Sequence, residues 1–290
     1  LTRLLPRHQR PVMVWNPPGS TNGRLSPEEQ AFELAVHQGH VFPVFQPVTD
    51  RHYETKGFEI LIRWRRDGQE MQPADFLPNI RSPGNWLLLT AFVISEAVRQ
   101  INATAGDWYF AINVPAFVAG SKALISMLET ARQQLNDPTR AERLVLEFSE
   151  TTDVSRSGVK ENIREMQRGG HRILLDDCFS SHSVTFPARQ VRFNGYKLDK
   201  SIVDTFMHNH HDASLIQSLV VYCQLNDVEC IAEGVDSPEK FNALCRAGVT
   251  GFQGYYLSGP VYRESLDETV RQLQTRHNNI TRTGDAGTCK

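Results

Sequence analysis

Apolar residues along this chain fall into short runs, and the character of those runs changes after the first two. Phe42 to Val48 reads as a strand, and so does Phe58 to Trp64. The stretch between them, roughly Thr49 to Gly57, is shorter than the dozen or so residues a helical crossover needs. These two strands are therefore expected to lie antiparallel. Beyond Trp64 the runs alternate. A helix over Trp86 to Ile101 leads to a strand over Trp108 to Val114. Leu124, Leu128, Ala131 and Leu135 mark one face of a second helix, and the strand Leu144 to Phe148 follows. Val159, Ile163 and Met166 mark a third, stopped by Gly169-Gly170 ahead of the apolar run that ends in Asp176-Asp177. A strand over Val191 to Lys197, a helix near Leu215 to Leu225 and a strand over Val228 to Glu233 come next. Ser237-Pro238 opens a short helix that Gly248 ends, before a strand over Val249 to Tyr255 and a last helix near Glu264 to Leu273.

Alternation of this kind implies a mainly parallel sheet. Eight strands in roughly 230 residues suit a closed barrel better than an open doubly wound sheet. No glycine-rich nucleotide fingerprint follows the first strand, which weighs against the open sheet. The expected fold class is α/β, a modified TIM-type (β/α)8 barrel with an antiparallel first strand. Residues 1–25, with Pro17-Pro18-Gly19 and Asn22-Gly23, read as an arm or linker. The barrel is expected over 26–275, opened by Ser26-Pro27-Glu28-Glu29, where Ser26 caps a helix and Glu29 reaches back. The polar stretch 276–290 reads as a disordered tail.

A formal net charge of −2 and no basic run longer than Arg65-Arg66 give no reason to expect nucleic-acid binding. Cys178, Cys223, Cys230, Cys245 and Cys289 lack metal-site spacing and read as reduced thiols of a cytoplasmic protein. No apolar run is long enough to span a membrane, and no signal peptide is visible. The chain opens on Leu1 rather than Met, which leaves room for an upstream sensor or DNA-binding module. The four tryptophans read as core or interface residues. The His208 to His211 stretch reads as a solvated loop with Asp212 as the next cap.

The chemistry lies at the strand ends. In a barrel of this type those ends converge on one face. Glu59 lies in the second strand, Asn113 ends the third, Glu147 the fourth, and Asp176 with Asp177 the fifth. Lys197 ends the sixth, Glu233 the seventh, and Gln253 lies in the eighth. Any one of these reads as a surface polar residue; the whole series does not. So many carboxylates in one mouth repel each other unless a cation meets them. All-oxygen ligation favours Mg²⁺ or Mn²⁺, as one ion or as two about 3.5–4 Å apart. Such a centre clamps a phosphodiester and activates water. Lys197 supplies positive charge beside the reacting group, and Arg63 can hold a phosphate by its fork.

These residues resemble the EAL-domain family, the cyclic-di-GMP phosphodiesterases of bacterial signalling, from about Phe42 to Val261. The naming signature is Glu59-Ile60-Leu61, with Ile for Ala, followed by Ile62-Arg63-Trp64. Phe45-Gln46-Pro47-Val48, Ile112-Asn113-Val114, Leu146-Glu147-Phe148-Ser149-Glu150 and Asp176-Asp177 follow the family's order. So do Lys197-Leu198-Asp199, Ala232-Glu233-Gly234-Val235-Asp236 and Gln253-Gly254-Tyr255. The resemblance implies metal ligands Glu59, Asn113, Glu147, Asp176, Asp177 and Glu233. It implies that Lys197 and Gln253 assist the attacking water, with Glu59 and Glu150 also in the catalytic set, Glu150 as the anchor of a loop. Gln46, Leu61 and Arg63 would contact cyclic di-GMP, hydrolysed to linear pGpG; the resemblance leaves room for a homodimer without deciding the oligomeric state.

Three departures stand out. After the paired aspartates the family's D-F-G-T-G-Y-S-S becomes Asp177-Cys178-Phe179-Ser180-Ser181-His182-Ser183, without either glycine. Phe179 and Ser181 reach positive φ less cheaply than glycine. Arg81 stands where the family has Glu, and Asp236 shortens an acidic side chain. The rival expectation is a catalytically silent module that binds cyclic di-GMP or a partner protein.

Overall fold

The elements run in chain order as α1 (Pro27–His37), β1 (Val41–Thr49), β2 (Thr55–Arg66), β3 (Gln69–Met71), α2 (Pro73–Phe76) and α3 (Pro83–Ala103). They continue as β4 (Tyr109–Asn113), α4 (Ala116–Ala119), α5 (Lys122–Gln134), β5 (Leu144–Ser149), α6 (Val159–Arg168) and β6 (Arg172–Cys178). The last are β7 (Gly195–Leu198), α7 (Lys200–Thr205), α8 (His210–Asn226), β8 (Glu229–Ala232), α9 (Pro238–Ala247), β9 (Gly251–Phe252) and α10 (Leu266–Thr283). The computed structural model describes residues 25–180 and 189–283. The expected arm up to residue 24, residues 181–183 of the rewritten loop, Trp15 and Cys289 lie outside the described residues.

The sheet order β1-β9-β8-β7-β6-β5-β4-β2, with β1 paired back to β2, closes a barrel of the expected kind. β1 runs antiparallel to both neighbours, and the pairs from β2–β4 round to β8–β9 are parallel. β1 meets β9 at a single pair, Thr49 with Phe252. Its prolines account for that thin seam. Pro43 and Pro47 share an edge with Phe45, whose N–H bonds Val261 rather than β2, so the missing N–H groups fall on the sparsely paired side.

Residues alternate between two faces along each strand. The outward face and the helices build the large core, with Phe45, Ile60, Ile62, Phe110, Leu146 and Phe148. The inward face builds a separate plug from Val48, Tyr109, Ala111, Val145, Leu174 and Ile231. Gly57 makes room for that plug, since a Cβ there would fall 2.5 Å from the Tyr109 ring. Two residues beyond Gly57, Ala111, Val145, Leu174, Gly195, Ile231 and Gly251, and two before Val48 in antiparallel β1, stand Glu59, Asn113, Glu147, Asp176, Lys197, Glu233, Gln253 and Gln46. The strand-end series is thus one layer of the barrel interior.

The capping box at Ser26 is present: Glu29 N donates to Ser26 Oγ at 3.3 Å, and Ser26 N to Glu29 Oε2 at 3.2 Å. Glu29 Oε1 also accepts from the Arg81 and Ser82 amides, which ties α1 to the start of α3. Several elements differ from expectation, β7 beginning only at Gly195 among them. β3 is an added antiparallel strand reached through Asp67-Gly68, both at positive φ, a two-residue hairpin turn. β9 shrinks to two residues because Gly254 tucks against Val235, where a Cβ would fall 2.2 Å from the Val235 oxygen. Asn209, not Asp212, caps α8, accepting from the His211 and Asp212 amides. The last helix runs on to Thr283, well past Leu273.

Candidate active site

Lys197 stands at the centre of the polar layer, with no exposure at all. Its Nζ lies 2.6 Å from Glu233 Oε1, 3.0 Å from Glu147 Oε2, 3.3 Å from Glu59 Oε2 and 3.5 Å from Asp176 Oδ1. Glu59 is held further by Asn113 Nδ2 at 2.7 Å and Gln253 Nε2 at 2.6 Å. Gln253 Nε2 also approaches Gln46 Oε1 at 3.3 Å. Gln253 Oε1 is buried and finds no hydrogen-bond partner among the described residues. Four carboxylates from four separate parts of the barrel wall thus meet at a single lysine, with Asn113 and Gln253 holding Glu59 from behind.

One ammonium cannot balance four carboxylates in a buried cavity. The charge state shows it. Burial opposes ionisation of Glu59, yet Lys197 and the hydrogen bonds from Gln253 and Asn113 outweigh it and hold this carboxyl below its ordinary range. Burial lifts Glu147 well above the carboxylate range, with Glu59 and Asp176 adding repulsion that Lys197 does not cancel. Burial raises Asp176 to about 6 and Glu233 to about 8, again reinforced by neighbouring carboxylates. Lys197 itself is pushed well up by the four carboxylates, against the effect of its burial.

Asp177 joins this layer by a different route. Adjacent strand residues point to opposite faces, so the pair would ordinarily be split. Between the pairs Leu175–Tyr196 and Cys178–Leu198, β6 carries two residues where β7 carries one, Lys197. Asp176 and Asp177 therefore form a β-bulge, with Asp177 at φ 59°. The kink brings oxygens of Asp176, Asp177 and Glu233 within 4.8 Å of one another. Three carboxylates so close, with raised carboxyls around them and only hard oxygen donors, fit a divalent cation.

The strand then turns out through Phe179, which sits at φ 65°. A non-glycine residue there costs roughly 1–2 kcal/mol. Glu150 offsets that cost: it is 1% exposed and accepts from Phe179 N at 3.1 Å, Ser180 N at 3.0 Å and Ser180 Oγ at 2.7 Å. Glu150 thus ties the loop to the end of β5. Cys178 is fully buried, its thiol pushed well up by burial and by Glu150 and Asp176, a filler beneath the loop.

Gln46, Leu61 and Arg63 continue the inner face upward from Glu59. Gln46 pairs with Glu59 itself, Leu61 is half-buried, and Arg63 is buried. Arg63 Nη1 donates to Ile62 O at 2.8 Å, and Nε lies 3.6 Å from Glu70 Oε1 on β3. Glu70 and Tyr262, which meets it at 2.7 Å, were not foreseen. The Asp67-Gly68 turn was the one signal that could have placed Glu70 beside Arg63.

The sequence model of the EAL domain matches residues 29–260. The chain belongs to the EAL domain family. This EAL domain is 25% identical over 234 residues to the bifunctional diguanylate cyclase/cyclic di-GMP phosphodiesterase MucR of Pseudomonas aeruginosa, covering 76% of this chain and 34% of that protein. It is 26% identical over 247 residues to the probable cyclic di-GMP phosphodiesterase PdeG of Escherichia coli, covering 83% of this chain and 48% of PdeG. The chain thus spans a third to a half of these curated relatives. Among solved structures, the PaMucR phosphodiesterase in complex with c-di-GMP superposes with a TM-score of 0.75 at 22% identity, over 83% of this chain and 100% of that one. That likeness speaks for the fold. Among the described residues, no helix is long and apolar enough to cross a membrane.

Proposed function

We propose that this EAL domain is a Mg²⁺- or Mn²⁺-dependent phosphodiesterase that hydrolyses one bond of cyclic di-GMP to give linear pGpG. The observation that carries this reading is the cup of Asp176, Asp177 and Glu233 oxygens beside the buried Lys197. Glu59, Asn113, Glu147, Asp176, Asp177 and Glu233 are the residues that would hold the cation. Asn113 spends its amide N–H on Glu59, which leaves its Oδ1 for that purpose. A bound divalent cation supplies charge neutralisation for the phosphoryl oxygens and acidifies the attacking water.

The remaining work belongs to the protein. Lys197 Nζ holds fixed positive charge beside the phosphoryl oxygens, where negative charge grows, already oriented by its carboxylates. The unpartnered Gln253 Oε1 is an acceptor for a proton of the attacking water, and its amide keeps Glu59 in place. Water's oxygen bonds to phosphorus, the bond to the ribose 3′ oxygen breaks, and that oxygen takes up a proton. Gln46, Leu61 and Arg63 line the wall above and position the dinucleotide. The reading places the domain in the bacterial cytoplasm, in keeping with its four buried free thiols.

Purified protein incubated with cyclic di-GMP and Mn²⁺ is expected to release pGpG, and a chelator to stop it. No pGpG at micromolar enzyme, with the dinucleotide still bound in calorimetry, would favour the silent binding module. The observation on that side is the glycine-free loop with Phe179 at positive φ.

A further inference from the structure

At the end of the barrel away from the cup, the last turns of α5 and α6 stand side by side next to the start of β6. Between them runs a groove with a volume of about 310 Å³, and His171 lines it. His171 is 5% exposed, and its Nδ1 lies 3.1 Å from Ala141 O and 3.3 Å from Leu144 O. Carbonyl oxygens only accept, so Nδ1 carries the proton and donates. Burial keeps the ring neutral by holding its pKa below the ordinary histidine range. Nε2 is then an acceptor, and among the described residues it has no partner. A Cβ on Gly169, which also lines the groove, would stand 3.7 Å from His171 Cδ2, so the Cδ2–Nε2 edge is the one turned that way. Each wall adds an acid and a base, Glu129 with Arg132 on α5 and Glu165 with Arg168 on α6. Glu129 and Arg132 meet at 3.4 Å, whereas Glu165 has neither ion pair nor side-chain hydrogen bond among the described residues. Ile125, Leu128 and Met166 supply apolar surface.

We infer that this groove binds a small zwitterion with an aliphatic arm, an α-amino acid such as leucine, its ammonium on His171 Nε2 and Glu165 and its carboxylate on Arg168 and Arg132. A buried acceptor left without a donor is costly, and an ammonium brings three donors to it. The last carbonyls of α5 and α6 carry partial negative charge, which favours an ammonium between them. A guanidinium fork matches a carboxylate. Two acids balance two guanidiniums on the walls, which suits a ligand of both signs better than an anion or a cation. Among the described residues, His171 and the two glutamates do not close into a metal-sized cluster, which sets a bound metal ion aside. The volume lies at the small end of ligand pockets, and apolar walls with a few convergent polar groups are their usual make-up. His171 stands roughly 17 Å from Asp176 along β6, at about 3.3 Å per residue. Binding here therefore stands or falls separately from hydrolysis at the cup.

The test titrates the full chain in a calorimeter with L-leucine, N-acetyl-L-leucine, which has no ammonium, and 3-methylbutylamine, which has no carboxylate. Wild type is expected to bind L-leucine saturably and each analogue at least about tenfold more weakly. Three variants then locate the site. His171→Asn keeps an amide N–H near the place of Nδ1 and removes the Nε2 acceptor, while Glu165→Gln and Arg168→Gln change exposed side chains and keep the wild-type Tm. Each is expected to weaken L-leucine binding about tenfold. No saturable binding up to about 10 mM L-leucine overturns the site. Equal binding of either analogue overturns it as well. Unaltered affinity in Glu165→Gln and Arg168→Gln puts the ligand elsewhere and overturns it too, and these two variants decide the matter if His171→Asn does not fold.

Discussion

Val48, Tyr109, Ala111, Val145, Leu174 and Ile231 fill the barrel interior, and one alternation step above that layer, on the same inner face of the wall, Glu59, Glu147, Asp176, Lys197 and Gln253 line it. The lower layer is held by packing that any well-fitting apolar set can supply. The upper layer is buried almost as deeply, yet it holds charges that the protein alone does not neutralise. Two residues along the wall separate an apolar plug from a cluster of four carboxylates around one lysine. The barrel walls are thus shared between stability below and chemistry above.

That contrast can be broken at its strongest point first. Glu59→Ala removes a carboxylate that Lys197, Asn113 and Gln253 all hold. Cyclic-di-GMP hydrolysis is expected to fall by about a thousandfold or more while the circular dichroism spectrum stays native. Retained turnover would mean the upper layer is not the metal site. One step down, Leu174→Ala should act in the opposite sense. It is expected to cost about 2–5 kcal/mol in denaturant unfolding, with turnover per folded molecule changed less than tenfold. A large loss of turnover at unchanged stability would show that the plug is part of the chemistry.

The smallest of the three effects concerns the loop that brings Asp177 into the upper layer without belonging to the strand alternation. Glu150→Ala leaves the Phe179 and Ser180 amides without their acceptor. A cost of about 1–3 kcal/mol in unfolding is expected, with weaker apparent Mn²⁺ affinity, and Glu150→Gln should recover part of both. Unaltered metal affinity in the alanine variant would separate the loop from the cup.

Much of this was legible in the chain. Strand ends at Asn113, Glu147 and Lys197 could be read because period-two alternation and the closing of a barrel leave such residues nowhere else to meet. The antiparallel first pair followed from the length of one connection. Tyr262 was not legible, because it follows Val261, which reaches the barrel wall only through long-range pairing with Phe45, whereas Glu70 sits in a local hairpin that the Asp67-Gly68 turn could have announced. The loop-anchoring place of Glu150 came from the family resemblance, and its three bonds to Phe179 and Ser180 agree with it.

Local chemistry determined the element order, the inward series from Glu59 to Gln253 and the family, because apolar period and residue type are properties of the chain itself. The bulge at Asp176-Asp177, the four-carboxylate shell around Lys197 and the contact of Tyr262 with Glu70 were decided only in three dimensions. Each depends on which strands become neighbours and in what register, and a single residue of slip would turn those side chains to the other face.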